Sequence, residues 1–236
     1  MHDALHAEWT KLRTSPATIW LLLGVVAATL GVSWAVNAAS TTGDVTKNSL
    51  TGVYLGQAVV AALGVVLIGG EYATGMVRVT LTAVPRRIAV LAAKAAVLTV
   101  VVLPAAAIAV VGCALLGGVS LTEATVVRAV GGSVLYLGLI ALLALGTGVA
   151  VRDSTTAIGV VLGLLYVLPI LAQVVTNHAW QRHLLQISPM SAGLAIQSTR
   201  DLQDLPIAPW AGLGVLALWA VGALIVGGLV LARRDA

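Results

Sequence analysis

The chain has 236 residues, 59% hydrophobic and only 9% charged, with a mean hydropathy of +1.03 and a formal net charge of +4. A water-soluble domain carries about 25% charged residues, so this composition cannot cover a globular surface in water and excludes a soluble enzyme. A single cysteine, Cys113, excludes an internal disulfide.

The chain opens on an amphipathic segment. Leu5, Trp9 and Leu12 fall at i, i+4 and i+7 on one helical face, with His6, Thr10, Lys11 and Arg13 elsewhere. The pattern over residues 1–15 suits a cytoplasmic helix lying in the membrane interface, and equally an ordinary basic flank that only sets topology. Ser15 can cap the first span, with Pro16 in its first turn.

Six apolar runs follow: Ile19–Val36, Val53–Ile68, Ile88–Leu116, Val130–Val151, Ala157–Val175 and Pro209–Leu231. A helix needs about 20 apolar residues to cross the ~30 Å hydrocarbon layer. The runs are continuous and far longer than barrel strands, so helices are expected. The first is longer than the apolar stretch of a signal peptide and reads as an uncleaved anchor. The second borrows Leu50 to Gly52 and Gly69, and the third projects beyond the membrane at its start. The expected fold is all-α: a single polytopic domain of six transmembrane helices over residues 1–236.

Lys and Arg set the orientation. Nine fall at the N-terminus, in and just after the second loop, in the fourth loop and in the tail, against four on the other side (Lys47, Arg128, Arg182 and Arg200). Both termini are therefore expected in the cytoplasm. Residues 70–87 form an inner loop and residues 176–208 an outer one, in which Leu184–Ile187 and Ala192–Ile196 are apolar pieces suited to re-entrant helices.

Within the spans, chemistry is sparse. The three lysines, Lys11, Lys47 and Lys94, do not follow glycine, so the Gly-x-x-x-x-Gly-Lys phosphate cradle is missing. The span centres lack Asp, Glu, His, Lys and Arg; an ionisable group at that depth would cost about 2.5–3.5 kcal/mol. Lys94 lies near enough to the start of its run to snorkel to the interface. Gln57 and Gln173 are the notable polar side chains in spans and suit interhelical hydrogen bonds. Gly52-x-x-x-Gly56 and Gly159-x-x-x-Gly163 permit close helix packing, while Pro104 and Pro169 should kink or end helices. His178 and His183, five residues apart, do not make a helical metal pair. Intramembrane protease motifs are absent from the sequence.

A chain of this kind needs force from elsewhere. The inner loop carries Tyr72, Met76 and Val79 on one helical face, with Glu71 and Arg78 adding charge and Pro85 restarting the chain. Such a segment can form a short cytoplasmic helix that transmits motion between a partner and two spans, or be a solvated basic loop.

At this loop the sequence resembles the permease subunits of bacterial type-2 ABC transporters. The resemblance is carried by Glu71-Tyr72-Ala73-Thr74-Gly75-Met76-Val77-Arg78, followed by Thr80-Leu81 and Pro85-Arg86-Arg87. The opening Glu8-Trp9-Thr10-Lys11-Leu12-Arg13-Thr14-Ser15, the loop Arg152-Asp153-Ser154-Thr155, Pro209-Trp210-Ala211-Gly212 with Trp219, and the ending Arg233-Arg234-Asp235-Ala236 are similar to the corresponding stretches of that family. The resemblance implies a six-helix exporter subunit in a bacterial plasma membrane, paired with a second permease copy or paralogue and with separate ATPase subunits. ATP and magnesium would reside on the ATPase; this chain would carry no cofactor, metal or nucleic acid. Glu71, Tyr72, Thr74, Gly75, Met76 and Arg78 would touch the ATPase or position the helix that does. Trp9, Lys11, Leu12 and Arg13 would belong to the interface helix. Substrate contacts stay open. The alternative reading is an ion-coupled secondary transporter or channel, which the uncharged span centres disfavour.

Overall fold

A computed structural model describes residues 2–39, 44–83, 87–200 and 202–233, with backbone alone at 2–4, 78, 79, 81 and 83. Among them there is no strand. Helix is the expected answer for a chain in lipid, because a helix satisfies its backbone polar groups within itself.

α1 (His2–Thr14) precedes α2 (Pro16–Ala39), with Ser15 between them. The short α3 (Val45–Ser49) leads through a turn into α4 (Val53–Thr74), and α5 (Met76–Ala83) follows at once. α6 (Arg87–Leu116) and α7 (Ala124–Val151) are the two longest helices. The next span is α8 (Ser154–Leu162), a single π turn (Gly163–Val167) and α9 (Leu168–Val174). Short helices α10 (His178–Ile187) and α11 (Pro189–Leu194), with a 3₁₀ turn at Ala195–Gln197, lead to α12 (Pro209–Arg233).

Six helical stretches are long and apolar enough to cross a membrane: Pro16–Ala39, Val45–Thr74, Arg87–Leu116, Ala124–Val151, Ser154–Val174 and Pro209–Arg233. The expected all-α, six-span fold is therefore present. The second span extends past both borrowed ends, back to Val45 and on to Thr74. At 30 residues α6 is about 45 Å long, well beyond the hydrocarbon thickness.

α7 is the central helix and packs against α4, α6 and α12. Its inward side carries Leu137, Ile140, Ala141, Ala144 and Leu145, all fully buried. Where Gly52-x-x-x-Gly56 meets α2, a Cβ on Gly52 would lie 1.9 Å from the Thr29 carbonyl oxygen. That glycine pair serves packing within the chain. Gly159 and Gly163 do not: a Cβ on either would meet nothing within 4 Å, so the second small-residue pair is not a packing seam between described helices. Pro104 does not end α6, which runs through it. Pro169 sits two residues after the π turn, where its missing N–H leaves an α-helical hydrogen bond unmade.

Of the two span glutamines, Gln57 bonds between helices as expected. It accepts from the Tyr136 hydroxyl and directs its amide at Met190 Sδ, 3.3 Å away. Gln173 is exposed. Met190 belongs to α11, which is buried against α7 and α12 together with the 3₁₀ turn, whereas α10 has no buried residue. Of the two apolar pieces in this loop, Ala192–Ile196 thus enters the bundle and Leu184–Ile187 stays on an amphipathic surface helix.

The bundle has two polar ends. At one, Asp44 caps α3 and accepts from the hydroxyl and backbone amide of Thr199, and the Arg128 guanidinium donates to the Ser198 carbonyl. Burial pushes the Asp44 carboxyl up, but the Thr199 hydroxyl and the amides of Lys47, Thr199 and Thr46 outweigh it and hold the group below the usual carboxylate range. A depressed pKa contributes stability above the ordinary value and loses it as pH falls through the folded value. Asp44→Asn should therefore lower thermal stability at neutral pH and remove part of the acid-induced loss seen below about pH 4; parallel acid titrations of both proteins in detergent measure it, and identical curves would refute the assignment.

Candidate functional site

The other end gathers α1, the α4–α5 corner, the start of α6 and the ends of α7 and α12. Here the long-range contacts are ionic. Lys94, 2% exposed, donates to Glu8 Oε2 at 2.6 Å and to Glu71 Oε1 at 2.7 Å. Lys11 donates to the same Glu71 oxygen at 2.8 Å, to Glu8 Oε1 at 3.3 Å and to the Thr80 hydroxyl at 3.2 Å. Two carboxylates and two ammonium groups thus close a neutral cluster joining four elements: α1, α4, α5 and α6. The space left among Glu71, Val77, Thr80, Lys94 and the apolar wall is only ≈ 10 Å³, room for one water at most.

Why the helices meet this way follows from the costs. A lysine two turns inside an apolar helix cannot stay charged without partners. Lys94 therefore does not snorkel, as its position near the helix start suggests; it is sealed by carboxylates from two other helices. The inward face of α1 is correspondingly rotated from the apolar pattern. Leu12 is 4% exposed and Glu8 2%, whereas Trp9 is 44% exposed. The buried stripe runs through Glu8 because Glu8 has a countercharge to meet. Burial pushes the Lys11 ammonium down, but its hydrogen bond to Glu71 and the charges of Glu8 and Glu71 raise it above the ordinary lysine value. That contribution is complete below the ordinary value and disappears only as pH climbs through the raised one.

α4 ends where Gly75 takes a left-handed conformation (φ 71°), which side chains with a Cβ rarely adopt. This break corrects the expectation of one continuous face. Tyr72 and Met76 lie on different helices and do not share a surface. Tyr72 directs its hydroxyl at the Val149 carbonyl, 3.4 Å away, beneath the Arg152 guanidinium at 5.7 Å. Met76, like Thr74, is exposed, while Val77 is 5% exposed and anchors α5 in the bundle. Thr74 returns its hydroxyl to the Gly70 carbonyl. The side chain of Arg78 lies outside the described residues, as do Pro85 and Arg86.

The five loop residues with described side chains thus divide. Glu71 and Tyr72 hold the corner to the bundle, Gly75 turns it, and Thr74 and Met76 face outward. In α1, Leu12 and Lys11 hold the helix down, while Trp9 and Arg13 are exposed. Sequence reasoning missed Glu8 as a site residue. The available signals were a carboxylate between Leu5 and Leu12 on the apolar side of α1, and a lysine inside an apolar run with no partner nearby in sequence.

The same end is tied by arginines. Arg87 donates to the Leu231 carbonyl at 2.8 Å and Arg152 to the Val230 carbonyl at 3.3 Å, so two cations sit on the C-terminal carbonyls of α12.

A six-span helical bundle with an amphipathic helix clamped to a short helix at one end defines a polytopic membrane protein. The chain belongs to the family described as "ABC-2 family transporter protein", whose sequence profile matches residues 4–170. It is accordingly a multi-pass permease component of a type-2 ABC transporter. The match includes α1, the α4–α5 corner and Lys94, and ends before α10, α11 and α12. Comparison with curated proteins gives no match.

Proposed function

We propose that this permease forms the translocation path of an ATP-driven exporter in a bacterial plasma membrane. Its charged end, with both termini, faces the cytoplasm and receives force from a separate ATPase. ATP and magnesium reside on that partner, and this chain needs no cofactor of its own. A second permease, identical or paralogous, completes the path.

One observation carries this reading. The corner that presents Thr74 and Met76 outward is locked by Glu71 to both α1 and α6. A push on α5 would therefore move α1 and two spans as one body, because a neutral, largely buried ion cluster resists shear better than a solvated loop. α5 is the natural docking element and α1 its brace in the membrane interface.

Lys94 gives the secondary-transporter reading its best argument, since a buried ammonium between two carboxylates resembles part of an ion relay. It is weakened by position: the group lies at one end of the bundle, and among the described residues the buried acidic and basic side chains are Glu8, Glu71 and Lys94 alone, all at that end.

Copurification with the ATPase encoded nearest the gene tests the proposal. Met76→Glu changes an exposed side chain, so the permease should fold normally yet bind the ATPase roughly tenfold more weakly, the scale of a lost interface anchor. ATPase binding and transport both unaffected, or cargo movement in ATP-free vesicles, would refute it.

A further inference from the structure

Outside the clamp, α6 and α12 leave a groove of ≈ 560 Å³ between them, with an almost wholly apolar lining. Its wall runs from Ile88 to Ala95 on α6 and from Val221 to Ala232 on α12. At 1.5 Å per residue those stretches are about 10 and 16 Å long, so the groove is about as deep as one leaflet of a ~30 Å hydrocarbon layer. Its mouth lies at the polar end, next to Arg87 and Arg233, and Arg233 is exposed. Among described residues these two are the charged side chains immediately flanking the groove in sequence.

We propose that this groove binds one acyl chain of an anionic phospholipid, with the headgroup phosphate at the Arg87 and Arg233 side chains. Three observations support that occupant. The lining is apolar where a chain would lie. The depth matches one leaflet rather than the whole bilayer. The charge sits only at the mouth, where a phosphate would reach it. A second copy of the chain fits poorly, because a two-fold seam through this groove would bring the same arginines of both copies together. Gly228 keeps the groove open: a Cβ there would make ordinary contact, 3.5 Å from Leu91 Cδ2, so a larger side chain would fill the groove without displacing backbone. The inference rests on the membrane placement alone and not on ATP coupling.

Native mass spectrometry of the full chain, purified in detergent with equal phosphatidylglycerol and phosphatidylcholine, tests it. The wild type should retain one phosphatidylglycerol in preference to phosphatidylcholine. Gly228→Leu should lose retention of both lipids while keeping the wild-type melting temperature. Arg233→Glu should reduce the preference for phosphatidylglycerol by about fivefold or more, the weight of one basic residue at an anionic surface, and still hold phosphatidylcholine. Equal retention of the two lipids by the wild type, or unchanged phosphatidylglycerol in Gly228→Leu, would overturn the proposal. So would disulfide cross-linking between copies through Ala232→Cys, a readout clean of the native Cys113, which is buried.

Discussion

Lys94→Met should be among the most damaging single substitutions in this protein. It leaves Glu8 and Glu71, 2% and 8% exposed, sharing one remaining cation, Lys11. Removing one partner from a buried ion cluster typically costs about 3–5 kcal/mol, because the surviving charge stays desolvated and uncompensated. In a protein of this size that is on the order of 10 °C in melting temperature, and much of the expressed protein should be lost to degradation or aggregation. The informative variant is the double one. Lys94→Met with Glu8→Met restores neutrality, keeps the Lys11–Glu71 pair at 2.8 Å and fills the space with apolar volume. It should recover most of the lost stability, since exchanging a whole buried pair for hydrophobes is often neutral or better. Thermal unfolding of wild type, both singles and the double in one detergent gives the coupling energy directly. Additive effects of the two substitutions would mean that the cluster is not the unit described above. The same set separates stability from transmission: if α1 braces α5, the double variant should fold yet couple ATP hydrolysis to transport poorly.

Gly212→Ala is expected to be the second most severe. A Cβ at this position would sit 1.9 Å from the Ala192 carbonyl oxygen and 2.8 Å from its carbon. Both are backbone atoms of α11 and cannot turn aside as a side chain could. The short helix must shift, and with it Met190, which lies against Gln57 in the middle of the bundle. Overpacking of this sort costs about 1–3 kcal/mol, and here it also disturbs a loop segment that enters the bundle. Gly214, two residues on in the same helix, provides the control, because a Cβ there meets nothing within 4 Å. Gly214→Ala should be neutral or slightly stabilising by helix propensity. Equal melting temperatures for the two variants would show that α11 is not held against α12 at this point.

These two sites differ in how far they could be read beforehand. The six spans follow from solvent and length: a chain with so few charges belongs in lipid, and lipid admits long apolar stretches as helices. That a short helix follows the α4–α5 corner was also legible, through the spacing of apolar residues in the inner loop. Gly75 was read there as part of a continuous helical segment, although a glycine between a helix and a second short helix is a common stop signal. The inward-facing part was not legible. Hydropathy counts a glutamate on an amphipathic helix as one more polar residue, and nothing local marks Glu8 as the partner of a lysine 86 residues away.

What the sequence determined alone is the medium, the number of crossings, the lack of a phosphate cradle and the family. Each depends on composition or on short contiguous patterns, which survive without coordinates. The tertiary structure decided which charges pair, which way α1 faces, that α11 and not α10 enters the bundle, and where a leaflet-deep groove opens. Glu8, Glu71 and Lys94 are separated by up to 86 residues, and no local pattern connects them. Their partnership arises because burying one ammonium in an apolar bundle requires carboxylates to arrive from elsewhere in the fold, and only packing determines which ones can reach it.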